Sequence, residues 1–92
     1  MLLDAVLAAE ADSSGHPDVR ALAALDPHAR AVLDALTRAE SVRAAATVLR
    51  MHHSTLQARH EGLSRELGYD PRTPVGRARY EVARMLFRLA AS

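Results

Sequence analysis

Cysteine and lysine are both absent from this sequence of 92 residues. Without cysteine there is no disulfide, no thiolate zinc site, no cysteine nucleophile and no iron–sulfur cluster. Aromatic residues make up 3% of the chain, and glycine and proline number four each, which is too few for a turn-rich β-sandwich. Alanine and leucine dominate instead, so the composition favours helices.

A long apolar run is missing as well. No stretch approaches the roughly 18–20 apolar residues that a membrane span requires. The first residues lack a basic region, and Asp4 interrupts the first apolar stretch, so a signal peptide is not expected. We therefore expect a cytoplasmic protein with no membrane partner, made of one domain with at most a short appendage.

The net charge of +1 hides an uneven distribution along the chain. Residues 1–40 carry seven acidic side chains and three arginines, whereas residues 41–92 carry nine arginines and four acidic side chains. The planar, forked guanidinium group of arginine suits phosphate groups and guanine edges. The basic second half is thus compatible with a nucleic-acid partner.

Local signals predict five or six helices with defined ends. Asp26 and Ser41 are expected N-caps, Thr73 is an N-cap followed by a first-turn proline, and Gly68 is expected to end a helix. Apolar spacing and turn residues place helices over residues 2–11, 17–25, 27–39, 42–50, 54–67 and 74–90, with a linker over residues 12–17.

The last helix has apolar residues over more than half of its circumference. The stripe expected to dock on the rest of the domain comprises residues 75, 78, 82, 85 and 89. The side with Tyr80 and Phe87 is then left over, and either a neighbouring helix of the same chain covers it or it forms a dimer contact. We predict a symmetric homodimer through the last helix, the first helix or both, in which the first helix contributes Leu2, Leu3, Val6 and Leu7.

The strongest functional pattern lies in residues 41–68. A short helix with Ala45 and Ala46, a break of three or four residues and a second helix that opens with polar residues are typical of a helix-turn-helix. The two small alanines allow the helices to cross closely. The start of the second helix, residues 52–59, is then expected to project outward.

The segment from Ala44 to Arg59 resembles the C-terminal helix-turn-helix of the PucR family of bacterial transcriptional regulators. The resemblance covers about residues 30–90 and implies a homeodomain-like fold, transcription regulation and double-stranded DNA as the partner. His53 stands where the family usually has arginine, and a similar turn occurs in the Fis-type helix-turn-helix. The identities with the family motif are Leu49, His52, Thr55, Leu56, Arg59 and Gly68.

We therefore predict an all-α protein with a homeodomain-like three-helix core and flanking N- and C-terminal helices. Residues 1–26 are assigned to the appendage and linker, and residues 27–92 to the DNA-binding domain. The expected phosphate contacts are Arg43, Arg50 and Arg59. The expected base-edge contacts are His52, His53, Ser54, Thr55, Gln57 and Ala58. For the two adjacent histidines a local capping role stays open.

The alternative function is a helical protein-interaction module that binds a partner through the apolar faces of the first and last helices, without direct DNA contact. An enzyme is not expected, since His60-Glu61 begins like a zinc protease signature but Ser64 occupies the position of the second histidine. We expect no cofactor, no metal site and no small-molecule site. His60 is expected to be a core histidine, and Arg79 to reach solvent along its helix or to pair with an acid.

Overall fold

The computed structural model describes residues 16–91, which form five helices and no strand. The helices are α1 (Pro17–Ala24), α2 (Pro27–Arg38), α3 (Val42–Leu49), α4 (His53–Leu67) and α5 (Pro74–Ala91). The all-α class is confirmed, and each of these helices lies within one residue of its predicted bounds. The helix predicted over residues 2–11 and most of the linker lie outside the described residues. None of the five helices is long and apolar enough to cross a membrane.

Capping side chains begin three of the helices, and left-handed residues end two of them, close to the positions that the sequence predicts. Asp26, Ser41 and Thr73 each accept a hydrogen bond from the backbone N–H three residues further on, at 2.7, 3.0 and 3.0 Å. Gly68 ends α4 with a φ of 84°, in the region that favours glycine. Arg50 ends α3 with a φ of 56°, which is uncommon for a residue with a side chain.

One apolar core joins the five helices. At its centre are three residues of α2 with no exposed surface, Val32, Leu33 and Leu36. The other helices contribute buried residues to the same core: Leu22, Ala45, Ala46, Leu56, Leu63, Leu67, Tyr80 and Ala83. The α2 helix contacts α3 and α4, α3 contacts α4, and α1 contacts α4 and α5. The boundary predicted at residue 26 therefore falls between two helices that share one core.

The rotation of α5 is opposite to the predicted one. The stripe expected to dock is exposed, with exposed fractions of 73%, 54% and 51% for Val75, Val82 and Met85. Tyr80 is only 2% exposed, and Phe87 is partly buried against the core. The prediction that these two aromatic residues form a dimer contact is therefore wrong, because other helices of the same chain cover them.

A glycine and two polar contacts explain this rotation. A Cβ atom at Gly76 would lie 1.7 Å from the carbonyl oxygen of Asp70, so only glycine lets α5 begin against that turn. Tyr80 donates its hydroxyl to Asp34, and Nε of Arg84 lies 3.2 Å from the same carboxylate. Burial, followed by the hydrogen bond to Asp34, raises the pKa of Tyr80, so its hydroxyl remains a donor.

Candidate nucleic-acid interface

The connection between α3 and α4 is a tight turn of three residues, Arg50, Met51 and His52. The backbone N–H of Met51 bonds to the carbonyl of Ala46 at 2.9 Å, which closes the end of α3 after the left-handed Arg50. Met51 is partly buried against the core. The turn thus redirects the chain within three residues. The α2 helix contacts both α3 and α4, the two helices that the turn joins.

The small residues of α3 and the apolar stripe of α4 hold these two helices together. Ala45 and Ala46 are 0% and 3% exposed, and Leu56 of α4 has no exposed surface. Small side chains at a helix contact allow close approach of the backbones. The buried stripe of α4 continues through Leu63, so the opposite side of α4 is left to solvent.

His52 caps the beginning of α4. Its Nδ1 accepts a hydrogen bond from the backbone N–H of Ser54 at 3.3 Å and lies 2.8 Å from the Ser54 hydroxyl. The rings of His52 and His53 stack with their centroids 5.0 Å apart. The capping role that the sequence left open is therefore present at His52, and it leaves Nε2 as the ring nitrogen that can meet a ligand.

The residues predicted to contact DNA lie in the turn and the first turns of α4, except Arg43, which lies in the first turn of α3. Arg59 differs from the others because its side chain is partly buried and its Nε has no hydrogen-bond partner within residues 16–91. It lines an open groove along the outside of α4, together with Thr55, Ala58 and the acidic Glu66. The remaining eight predicted contact residues are exposed: Arg43, Arg50, His52, His53, Ser54, Thr55, Gln57 and Ala58.

The segment that contains this turn carries charge of one sign. Residues 41–60 form the longest stretch of the chain without an acidic residue, and they contain three arginines. None of the ion pairs among the described residues involves Arg43, Arg50 or Arg59. The positive end of the α4 dipole adds to the same potential. Counting the charged residues in each half of the chain does not reveal this acid-free stretch, although their positions along the sequence do.

The second half of α4 differs in charge from the first. Glu61 and Glu66 are both exposed on α4, beyond the acid-free stretch. The positive surface therefore consists of α3, the turn and about the first two turns of α4. We call this region the α3–α4 surface.

His60 fixes the other side of α4. It is 9% exposed, as expected for a core histidine, and its Nε2 lies 2.8 Å from Oδ1 of Asp70. The backbone N–H of Arg72 donates to the same oxygen at 2.9 Å. These hydrogen bonds, that of Arg72 first, hold the pKa of Asp70 below its ordinary value. No group of three or more possible metal ligands occurs in the described part of the chain.

Comparisons with family models, with curated proteins and with solved structures find no match to this chain. The class that the structure defines is an all-α protein whose residues 16–91 form five helices, with an exposed surface built from an acid-free segment that bears arginines. Its function is therefore inferred from the residues of that surface and from their geometry.

Proposed function

We propose that this protein binds DNA sequence-specifically and regulates transcription. In this proposal α2, α3 and α4 are a homeodomain-like helix-turn-helix core, and α4 enters the major groove. The observation that supports it best is the α3–α4 surface, where unpaired arginines flank the exposed polar start of a helix. Three of the residues that carry the PucR resemblance, His52, Thr55 and Arg59, lie in this surface, whereas Leu56 is buried and Gly68 ends α4.

Phosphate binding is the task of Arg43 and Arg50 in this proposal. Arg43 lies on α3 and Arg50 in the turn, so the two arginines belong to the two elements that directly precede α4. Guanidinium groups bind phosphate oxygens through charge-assisted, often bidentate hydrogen bonds. Such contacts position the protein on the duplex without reading its sequence.

Base reading is assigned to the first turns of α4. The exposed amide of Gln57 can bond adenine through its N6 and N7 atoms, and the hydroxyl of Thr55 can bond several base edges. The exposed methyl group of Ala58 suits the methyl group of thymine. Glu61 and Glu66 repel phosphate, so we expect only the first half of α4 to lie deep in the groove.

Selection of bound sequences from random duplex DNA tests the proposal directly. We expect a short enriched motif at low salt, and a population without any enriched sequence would contradict sequence-specific binding. The affinity should also fall as salt rises, with a slope of log K against log salt of roughly −0.9 per phosphate neutralised.

Arg43→Ala should weaken binding to all duplexes and reduce the salt slope by about 0.9. Fluorescence anisotropy at several salt concentrations measures both quantities. Arg20→Ala is the matched control, because Arg20 is exposed on α1, outside the α3–α4 surface. Equal losses for the two variants would show that the attraction to DNA is not localised.

Gln57→Ala should relax sequence preference rather than weaken all binding. A good bidentate base contact contributes about 1–3 kcal/mol of discrimination. The measurement is a repeat of the selection with the variant, compared with the parent motif. An unchanged motif would mean that Gln57 does not face the bases and that the rotation assigned to α4 is incorrect.

One observation favours a second candidate function, a protein-interaction module without DNA contact. The outer face of α5 exposes Val75, Val82 and Met85, and exposed apolar stripes often mark protein contacts. The sequence selection separates the two functions, because only DNA binding enriches a motif.

A further inference from the structure

The exposed face of α5 has a heptad pattern. Residues 75, 78, 82, 85 and 89 are separated by alternating steps of three and four, the spacing of a and d positions in a coiled coil. We call these residues the α5 seam. Val75, Val82 and Met85 in this seam are each more than half exposed, whereas α5 buries Gly76, Tyr80, Ala83 and Leu86 against the core.

Two opposite charges flank the seam on the side away from the core. With Val75 at position a, Glu81 and Arg88 occupy consecutive g positions, and both are exposed. The ion pair that Glu81 forms with Arg84 is a long one, at 3.9 Å. Glu81 and Arg88 are therefore available to a partner helix.

The positions of these charges select one orientation of a helix pair. In an antiparallel pair, g positions face g positions, so a two-fold axis brings Glu81 of each copy opposite Arg88 of the other. In a parallel pair, g positions face e positions, and Glu81 would face Leu86, which is buried in the core. The surface is thus complementary to itself in the antiparallel orientation only.

We propose that a second copy of this chain occupies the α5 seam as an antiparallel helix pair, joined by two Glu81–Arg88 contacts. A closed two-fold arrangement uses the same patch on both copies, which fits a self-complementary surface. The seam is about 21 Å long, or two heptads, so association is expected only at micromolar concentrations or above. The proposal is independent of DNA binding.

Sedimentation of the full chain tests the proposal. Between about 10 and 500 µM the mass should rise from 10.0 kDa toward twice that value. Val82→Glu should hold the protein at the monomer mass. Val48→Glu is the matched control, because Val48 is 73% exposed on α3, outside the seam, and this variant should dimerise normally. Circular dichroism of both variants should show unchanged helix content, since neither valine is buried.

Exchange of the two charges tests the orientation. Glu81→Arg and Arg88→Glu should each weaken dimerisation roughly tenfold, because each places like charges opposite one another. An equimolar mixture of the two variants should regain dimerisation, since both contacts of a mixed dimer then join an arginine to a glutamate. The antiparallel arrangement is overturned if the mixture associates no better than either variant alone.

Two results would overturn the second copy as the occupant. One is that the full chain remains at 10.0 kDa at the highest concentration and that Val82→Glu lowers its melting temperature. This combination is expected if residues 1–15 of the same chain cover the α5 seam. The other is equal loss of dimer in the Val48→Glu and Val82→Glu variants, which would place the contact elsewhere.

Discussion

Arg72, in the turn before α5, and Arg43, on α3, are the same residue type in opposite situations. Arg72 donates hydrogen bonds to three carbonyl groups at the end of α2, those of Leu36, Ala39 and Glu40. Arg43 is exposed and forms no ion pair within residues 16–91. The number of arginines in the basic half of the chain therefore overstates the positive charge that is free to attract a ligand.

Arg30 repeats the arrangement of Arg72 at another helix end. It donates to the carbonyls of Leu22 and Leu25, at and just after the end of α1, and its guanidinium group lies 4.9 Å from the ring centre of Phe87. The last carbonyls of a helix have no partner within the helix, and a cation there is favourable. Arginine thus joins successive helices of the core.

Arg79 connects α1 to α5. It forms two hydrogen bonds to the carboxylate of Asp18, at 3.1 and 2.8 Å, which confirms the predicted pairing with an acid. The guanidinium group also lies 4.2 Å from the ring centre of Tyr69. Burial, assisted by the nearby Asp18, raises the pKa of Tyr69 to about 12, so this ring is neutral at physiological pH.

The largest expected effect is a difference in stability between arginines that join helices, such as Arg72, and exposed arginines, such as Arg43. Arg72→Ala removes three hydrogen bonds from a charged donor and should lower the free energy of unfolding by about 2–3 kcal/mol. Arg43→Ala should change it by no more than about 0.5 kcal/mol. Urea denaturation of both variants measures the difference, and similar losses would contradict the distinction.

A stability effect of intermediate size is expected at Arg50, whose backbone adopts the left-handed conformation. Arg50→Gly should increase the free energy of unfolding by about 1 kcal/mol, because glycine adopts this conformation without a steric penalty. The same change should weaken DNA binding through loss of a phosphate contact. Arg50→Ala is the control, as it removes the charge but keeps the unfavourable backbone. A stability for Arg50→Gly below that of Arg50→Ala would refute the argument.

The smallest expected effect concerns Asp70. Its pKa is lower in the folded protein than in the unfolded chain, so its contribution to stability is present above its unfolded pKa of about 3.9. This contribution disappears as the pH falls from there through the lowered folded pKa. Melting temperatures of the parent and Asp70→Asn proteins should therefore converge as the pH falls below about 4, and a constant difference would contradict this linkage.

Local physical chemistry explains why so much of the fold could be predicted. A capping side chain acts within three residues, as at Asp26 and Ser41, and a buried stripe follows the 3.6-residue period, as in α4. The same period accounts for the exposure of Ser54 and Ala58, because these positions lie opposite Leu56 and Leu63 on α4. The DNA-binding role of these residues stays a prediction.

The sequence by itself determined where the helices begin and end and which sides of α2 and α4 are buried, since those properties depend on neighbours along the chain. The rotation of α5 was decided by the tertiary structure. It depends on the carbonyl of Asp70 at Gly76 and on the carboxylate of Asp34 at Tyr80, which is 46 residues away in sequence. An apolar stripe on either side of α5 satisfies the helical period, and contacts with polar groups outside the helix select the buried one.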